Sequence, residues 1–142
     1  MISNNQKNWI ASHLFGREGT VPAKYYVGLL LAVPTADQST PVAEVTTIGT
    51  GYARIEFDND NGVGGALTAA TNGIVTNLSE ISFAPVGETD YGTVVAVGLF
   101  TSQAGGVPIY WSVMSTPKSY TTGDVAFFLS GGIRFQVDEI AD

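Results

Sequence analysis

The spacing of hydrophobic and polar positions changes once along the chain, close to Pro22. Before this point, apolar residues recur at helical spacing within residues 4 to 15. This pattern predicts one short helix, which Ser3 or Asn4 caps and Gly16 ends. After this point, short aromatic and β-branched runs alternate with clusters of Gly, Asn, Asp and Pro, which predicts strands joined by turns.

About seven or eight strands are expected, with a turn signal roughly every ten residues. They cover residues 24–33, 51–58, 80–83, 93–101, 108–114, 125–129 and 133–137, and a short strand around Ile74 and Val75 is left open. The prediction is a mainly β fold, a β-sandwich or a jelly-roll-like barrel, with one short N-terminal helix. We expect a single domain over 1–142, with the helix and lead-in in 1–20 and the β domain in 21–140.

Three segments carry more detailed expectations. Residues 34–50 hold two prolines and many small polar residues, so they predict a long connection. Residues 93–101 are apolar on both faces, as in a central strand or in a strand that a partner covers. Residues 51–58 alternate: the predicted core face holds Ala53, Ile55 and Phe57, and the predicted solvent face holds Arg54, Glu56 and Asp58.

Charge narrows the choice of partners. The net charge is −7, from 13 acids and 6 bases, which disfavours nucleic acid. The longest apolar run, Tyr25–Val33, is far shorter than the about twenty residues of a membrane-spanning helix, so no membrane partner is expected. Only 13% of residues are charged. Such a surface suits a Thr- and Gly-rich β protein, and it equally suits a subunit that neighbouring chains cover.

No catalytic motif is present. His13 is the only histidine, Ser130 lacks the glycine two residues before it that a nucleophile elbow requires, and the chain has no cysteine. The acids fall mostly in turns or on outward positions, as solubilising charges do. The Asp58–Gly62 turn begins like a calcium loop but lacks the later ligands, and an ion there is left open. We expect no enzyme and no cofactor.

Apolar and aromatic residues supply the candidate contacts instead. Surface tyrosines could stack on sugars, so a host-surface glycan is a possible partner. The candidate surface aromatics are Tyr52, Tyr91, Tyr110 and Tyr120. The candidate subunit contacts, in the helix and in the two-faced strand, are Trp9, Ile10, Leu14, Val95, Val97 and Leu99.

Several short motifs follow one another in a characteristic order. They are the 22–31 strand PAKYYVGLLL, Pro34-Thr35, Glu44-Val45, Gly51-Tyr52-Ala53-Arg54, Ile81–Phe83 with Pro85, Tyr91-Gly92-Thr93-Val94, the 97–100 run VGLF, Ile109-Tyr110-Trp111, and Gly123-Asp124 before Phe127-Phe128. In this order, over roughly residues 20 to 138, the chain resembles small phage tail-fibre or minor tail proteins. It has Val-Ala-Glu-Val where Thr-Glu-Val is commoner, and the N-terminal helix is outside the pattern.

The resemblance implies a structural protein of the virion, associated with the tail or baseplate. Its expected partners are other virion proteins and further copies of the chain. Two alternatives stay open, a capsid decoration protein and a receptor- or glycan-binding module.

Overall fold

The protein is described by a computed structural model over residues 1–16, 22–39, 42–58 and 67–136, without the side chain of His13. This part of the chain forms one helix and eight strands, and it is mainly β as predicted. The elements are α1 (Asn4–Leu14), β1 (Lys24–Leu30), β2 (Ile55–Asp58), β3 (Ile74–Thr76), β4 (Ile81–Ser82), β5 (Gly92–Phe100), β6 (Tyr110–Tyr120), β7 (Phe127–Phe128) and β8 (Arg134–Gln136). No helix within these ranges is long and apolar enough to cross a membrane.

Helix α1 begins and ends where local chemistry predicts. The Ser3 hydroxyl accepts a hydrogen bond from the Gln6 N–H at 3.2 Å, so Ser3 is the cap. Gly16 has a φ of 66°, the left-handed conformation that commonly ends a helix. The Ser3 N–H also donates to the Ile109 carbonyl at 3.0 Å, beside the start of β6. The N-terminal end of α1 is therefore anchored on the β domain of its own chain.

The first layer is a four-stranded antiparallel sheet in the order β2-β1-β5-β6. Strand β5 lies in its centre, which explains why both of its faces are apolar. Strand β6 is an edge strand and runs on to Tyr120, beyond the predicted end at residue 114. It contains Pro117, which an edge strand tolerates because one side of its backbone needs no partner.

The second layer is an interrupted ribbon of two chain segments. Strand β3 pairs with β8, and β4 pairs with β7, both antiparallel. Asn77 bridges the interruption, since its side chain donates to the Leu129 carbonyl and accepts from the Ile133 N–H, both at 2.8 Å. The two layers form sandwich-like sheets, and the strands described do not close into a barrel.

The sheet has apolar side chains buried on both faces. The larger cluster lies between the layers and includes Val27, Leu29, Phe83 and Ile133. A smaller cluster of buried residues consists of Leu30, Ala96, Phe100 and Trp111. The predicted division of residues 51–58 is therefore wrong at two positions. Arg54 is buried and Ala53 is exposed, because the supposed solvent face is itself covered beside Phe100, while Phe57, Glu56 and Asp58 follow the prediction.

The 34–50 segment forms a long connection, as predicted, and none of the eight strands lies in its described part. It also completes the edge of β1 beyond β2. The Leu31 N–H donates to the Ala43 carbonyl at 2.7 Å, and the Val45 N–H donates to the Leu29 carbonyl at 3.1 Å. Next to these bonds, on the side towards β2, the Leu29 N–H donates to the Tyr52 hydroxyl at 2.9 Å. The edge of β1 is thus covered beyond the end of β2.

Candidate functional site

A buried ion pair ties the long connection to the start of β2. Arg54 donates from Nε and Nη2 to the two carboxylate oxygens of Glu44, at 2.8 and 2.7 Å, and from Nη1 to the Ser102 carbonyl at 2.7 Å. The Tyr52 hydroxyl donates to Glu44 Oε1 at 2.6 Å. Burial, together with the Glu44 carboxylate, raises the pKa of Tyr52 well above its usual range, so the phenol stays a neutral donor. We call Glu44, Tyr52 and Arg54 the clasp.

The clasp rests on an aromatic ring above two glycines. The Arg54 guanidinium lies 3.4 Å from the centroid of Phe100. Gly28 and Gly98 face each other across β1 and β5, and a Cβ on either would come within 2.9 Å of Phe100 Cε2. Glycine is required here for close approach. Because the clasp neutralises its own charges beneath the surface, its chemistry is structural.

The clasp unites four of the motifs that the sequence analysis singled out. Glu44, the Gly51–Arg54 stretch, Gly28 and Phe100 belong to four separate motifs, and the fold brings them together. Arg54, which the alternation placed on the solvent face, pairs with a carboxylate inside the protein. These four motifs therefore meet in one tertiary interaction.

The predicted helical contact residues divide into two groups. Trp9 and Ile10 are half-buried, whereas Leu14 is 76% exposed, and the adjoining Phe15 is 78% exposed. The C-terminal end of α1 thus presents two large apolar side chains to solvent. A contact of this end with another subunit stays a prediction.

The predicted contacts on β5 are wrong for Val97 and Leu99. Both are buried in the core between the layers, because β5 is the central strand and the second layer already covers that face. Val95 is half-buried and packs against the smaller cluster of Leu30 and Trp111. None of the three forms an exposed face for a neighbour.

The predicted surface tyrosines lie mostly inside the protein. Tyr52, Tyr91 and Tyr120 are buried, and Tyr110 is half-buried. Tyr52 stacks on Phe83 and meets Tyr91 edge-on, with ring centroids 5.9 and 5.7 Å apart. These rings belong to the core between the layers, where they bury large apolar surfaces. They do not form an exposed platform for a sugar.

The structure shows an exposed apolar surface that the sequence analysis missed. Residues 125–129 (VAFFL) are apolar throughout, as in a strand buried on both faces, but in the structure every second side chain points outward. Leu78 joins them, because Asn77 and Ser130 hydrogen-bond the Leu129 and Leu78 carbonyls and hold the two segments together. We call this surface the apolar strip; its members are 39–62% exposed and are Leu78, Val125, Phe127 and Leu129.

A cleft of about 360 Å³ opens between β6 and the turn that follows β7. Its lining is apolar or hydroxylic and includes Val97, Met114, Phe128 and Ser112. The residues that line it include no ionisable side chain. The cleft thus offers space without acid–base chemistry.

Ionisable groups do not gather into a reactive centre within the described ranges. No set of three His, Cys, Asp or Glu residues there could hold a metal ion. Ser130 Oγ donates to the Leu78 carbonyl at 2.7 Å, which gives this serine a structural role. Residues 59–62 of the Asp58–Gly62 turn lie outside the described residues, as does the side chain of His13, so an ion in that turn stays open.

The comparisons with known proteins agree with this structural picture. The sequence model of the family described as podophage GP4 fiber I protein gp80 matches residues 1–136. The chain belongs to this gp80 fiber family. The match covers α1 as well, which the motif pattern had left out. No curated protein matches the chain.

Membership in the gp80 fiber family confirms the resemblance to phage tail-fibre proteins. It places the protein in the virion, in a structural, tail-fibre-like role. A gp80 fiber protein interacts with other virion proteins.

Proposed function

We propose that the chain is a non-enzymatic subunit of the phage tail that joins its neighbours by burying exposed apolar side chains. In this proposal residues 1–142 form one domain, with α1 as an appendage to the β sandwich. The subunit works as a packing element.

The observation that carries the proposal is the pair of exposed side chains at the end of α1. Leu14 and Phe15 are adjacent and more than three-quarters exposed, although α1 is anchored on the β domain at its other end. Fully burying one such side chain contributes about 1.5–3 kcal/mol. Large apolar side chains held together on a surface mark contacts with other proteins.

The family supports the tail over the head, since its description names a fiber protein. A glycan-binding module would need exposed aromatic rings beside convergent polar groups. Three of the four candidate tyrosines are buried, which favours packing over sugar binding.

Incorporation into particles tests the proposal. A tagged Leu14→Ser/Phe15→Ser variant is expressed during infection together with the untagged wild-type protein that the phage encodes. Mass spectrometry gives the fraction of the subunit that is variant, both in the lysate and in purified particles. Losing two apolar side chains from a contact should lower the share in particles about tenfold or more. The control is Val107→Ser, since Val107 is 43% exposed in the turn between β5 and β6.

The control variant should enter particles like the wild-type protein. Equal incorporation of both variants would contradict a contact at α1. Absence of the wild-type protein from particles would contradict the proposed function as a whole.

A further inference from the structure

The first residues of the chain already add a short strand to the outer edge of β6. Ile2 forms an antiparallel bridge with Tyr110. The Trp111 N–H donates to the Met1 carbonyl at 2.8 Å, and the amino group of Met1 donates to the Trp111 carbonyl. This edge of the sheet therefore accepts an added strand, and among the described residues its cover ends at Trp111.

Beyond Trp111 the edge of β6 has no neighbouring strand in the part of the chain that the structure describes. Backbone groups of successive residues on a strand point to opposite sides. Val113 therefore presents its N–H and its carbonyl on the side where Trp111 bonds with Met1. Pro117 and Lys118, residue types that protect an edge strand against pairing, come only later in β6. The first residues after Trp111 are thus an unprotected edge.

The same stretch departs from regular pairing with β5. The four residues 114–117 of β6 lie opposite the single residue Val95 of β5. The extra residues of such a bulge are left without partners in the ladder. Their backbone groups are strong donors and acceptors, and a further strand on the outer side would satisfy them.

The cleft between β6 and the turn after β7 lies beside this edge. Its walls come from both layers and include Val97 and Met114 of the sheet and Phe128 and Ile133 of the second layer. Its volume of about 360 Å³ compares with roughly 30 Å³ for one water molecule in the liquid, so it has room for side chains. Every second side chain of a strand added to β6 would point between the layers, into the cleft. Open backbone and space for side chains thus coincide.

The charges around the cleft indicate what the added strand carries. The lining has no ionisable side chain, so the residues that enter it are apolar or hydroxylic. Lys118 is the only charged residue of β6, and its Nζ lies 5.1 Å from the ring centroid of Tyr120, which packs between the layers. Glu80 precedes the partner of Phe128, so it lies on the outward face of the second layer. A carboxylate on the added strand therefore complements Lys118.

The C-terminal sequence of this chain does not have the required pattern. In residues 137–142 (VDEIAD), each set of alternate positions includes at least one carboxylate. Whichever set faced the cleft, a negative charge would enter a space whose lining offers it no cation. The pattern of the cleft thus calls for a segment of a different protein.

We propose that the edge of β6 from Val113 to Thr116 pairs with an extended segment of another virion protein. The segment has apolar residues at alternate positions, which fill the cleft, and an acidic residue at the end that meets Lys118. In such strand addition, backbone hydrogen bonds give affinity and pockets for alternate side chains give specificity. The inference rests on the proposed structural role and deepens it by naming a second contact surface and its kind of partner.

Photo-cross-linking in assembled particles tests the partner. A photoreactive phenylalanine analogue replaces Ser115, an exposed residue of the cleft lining, in a subunit expressed during infection. After irradiation of purified particles, mass spectrometry should identify one segment of another virion protein with alternate apolar residues and a terminal acid. The analogue at Val107, which is 43% exposed in the turn between β5 and β6, should not give this product. Cross-links only to residues 137–142 or to another copy of this chain, or none at all, would overturn the inference.

Blocking one backbone donor tests the mode of binding. Val113→Pro removes an N–H that points away from β5, and an edge strand tolerates proline. Val113→Thr keeps the N–H and the branched shape and is the matched control. In competition with the untagged wild-type protein, the proline variant should fall about tenfold or more in its share of particles, and the threonine variant should match the wild-type protein. Equal shares for the two variants would overturn strand addition.

Circular dichroism shows whether the proline variant folds. If it does not, Ser115→Glu replaces it, because the new carboxylate lies at the cleft and repels the acidic end of the segment. Its control is Val107→Glu, which adds the same charge outside the cleft. A tenfold lower share in particles for Ser115→Glu alone supports the inference, and equal shares overturn it.

The two proposals fail separately. If no segment is cross-linked in particles that contain the subunit and exclude the Leu14→Ser/Phe15→Ser variant, strand addition is wrong and the packing role stands. If the segment is cross-linked while that variant enters particles normally, the contact at α1 is wrong and strand addition stands. Absence of the subunit from particles would overturn both.

Discussion

The clasp offers a quantitative test of what holds the sheet and the long connection together. Glu44→Gln removes the negative charge and changes side-chain size little, so Arg54, with 3% of its side chain exposed, becomes a buried cation without its counter-charge. Removing one partner of a buried ion pair costs about 3–5 kcal/mol. Glu44 keeps 20% of its side-chain exposure, so we expect the lower end of the range.

Urea unfolding, followed by tryptophan fluorescence to which the buried Trp111 contributes, measures this loss. The midpoint should fall while the slope stays unchanged, because the surface exposed on unfolding is the same. The matched control is Glu56→Gln, which makes the same chemical change in the exposed pair of Glu56 with Lys24. Exposed pairs contribute little, so this midpoint should stay near that of the wild-type protein. Equal midpoints for the two variants would refute the reasoning.

A double-mutant cycle separates the pair from the rest of the site. Arg54→Met keeps an unbranched side chain over Phe100 and removes the cation. When Arg54 carries no charge, Glu44→Gln should lower the free energy of unfolding by less than it does in the wild-type protein. The coupling energy between the two positions should be about 1–3 kcal/mol. Strictly additive effects would show that Glu44 and Arg54 do not stabilise the fold as a pair.

Three further changes probe other parts of the structure. Gly28→Ala should destabilise by about 2 kcal/mol, because the new Cβ would lie within 2.9 Å of Glu44, Tyr52 and Phe100; a wild-type urea midpoint would contradict this close approach. Asn77→Ala should cost about 2 kcal/mol, since it leaves the buried Ile133 N–H unpaired, and the midpoint again reports it. Burial raises the pKa of Tyr110 from 10.0 to about 12, so the folded state favours the neutral phenol. The contribution of Tyr110 to the free energy of unfolding should therefore be complete below pH 10 and be lost as the pH rises to about 12. Tyrosinate absorbance and urea midpoints measured over this range check the last prediction, and a midpoint independent of alkaline pH would contradict it.

Local chemistry was enough to predict α1. Its cap, its apolar spacing and its terminal glycine lie within residues 3 to 16, and each acts on the backbone beside it. The turn signals placed most strands for the same reason. Strand ends were less predictable, as β6 shows, because pairing with β5 extends it past Pro117.

The surroundings of a face could not be predicted from its own strand. Arg54 follows the alternation and points away from Phe57, but the fold places Glu44 and the long connection over that side. The apolar strip shows the opposite error, since its residues look buried in the sequence and are exposed in the structure. Residues 125–129 are apolar at every position, which is typical of a strand buried on both faces. However, β7 belongs to the second layer, which packs on one side only, so Phe127 remains half exposed. Both outcomes depend on which segments pack together, and strand periodicity does not encode that.

A density map of the purified particle that resolves side chains tests the central claim most directly. The account predicts that this subunit is present in the tail, with Leu14, Phe15 and Phe127 covered by neighbouring protein. A particle that lacks the subunit, or one in which these three side chains all face solvent, would contradict it.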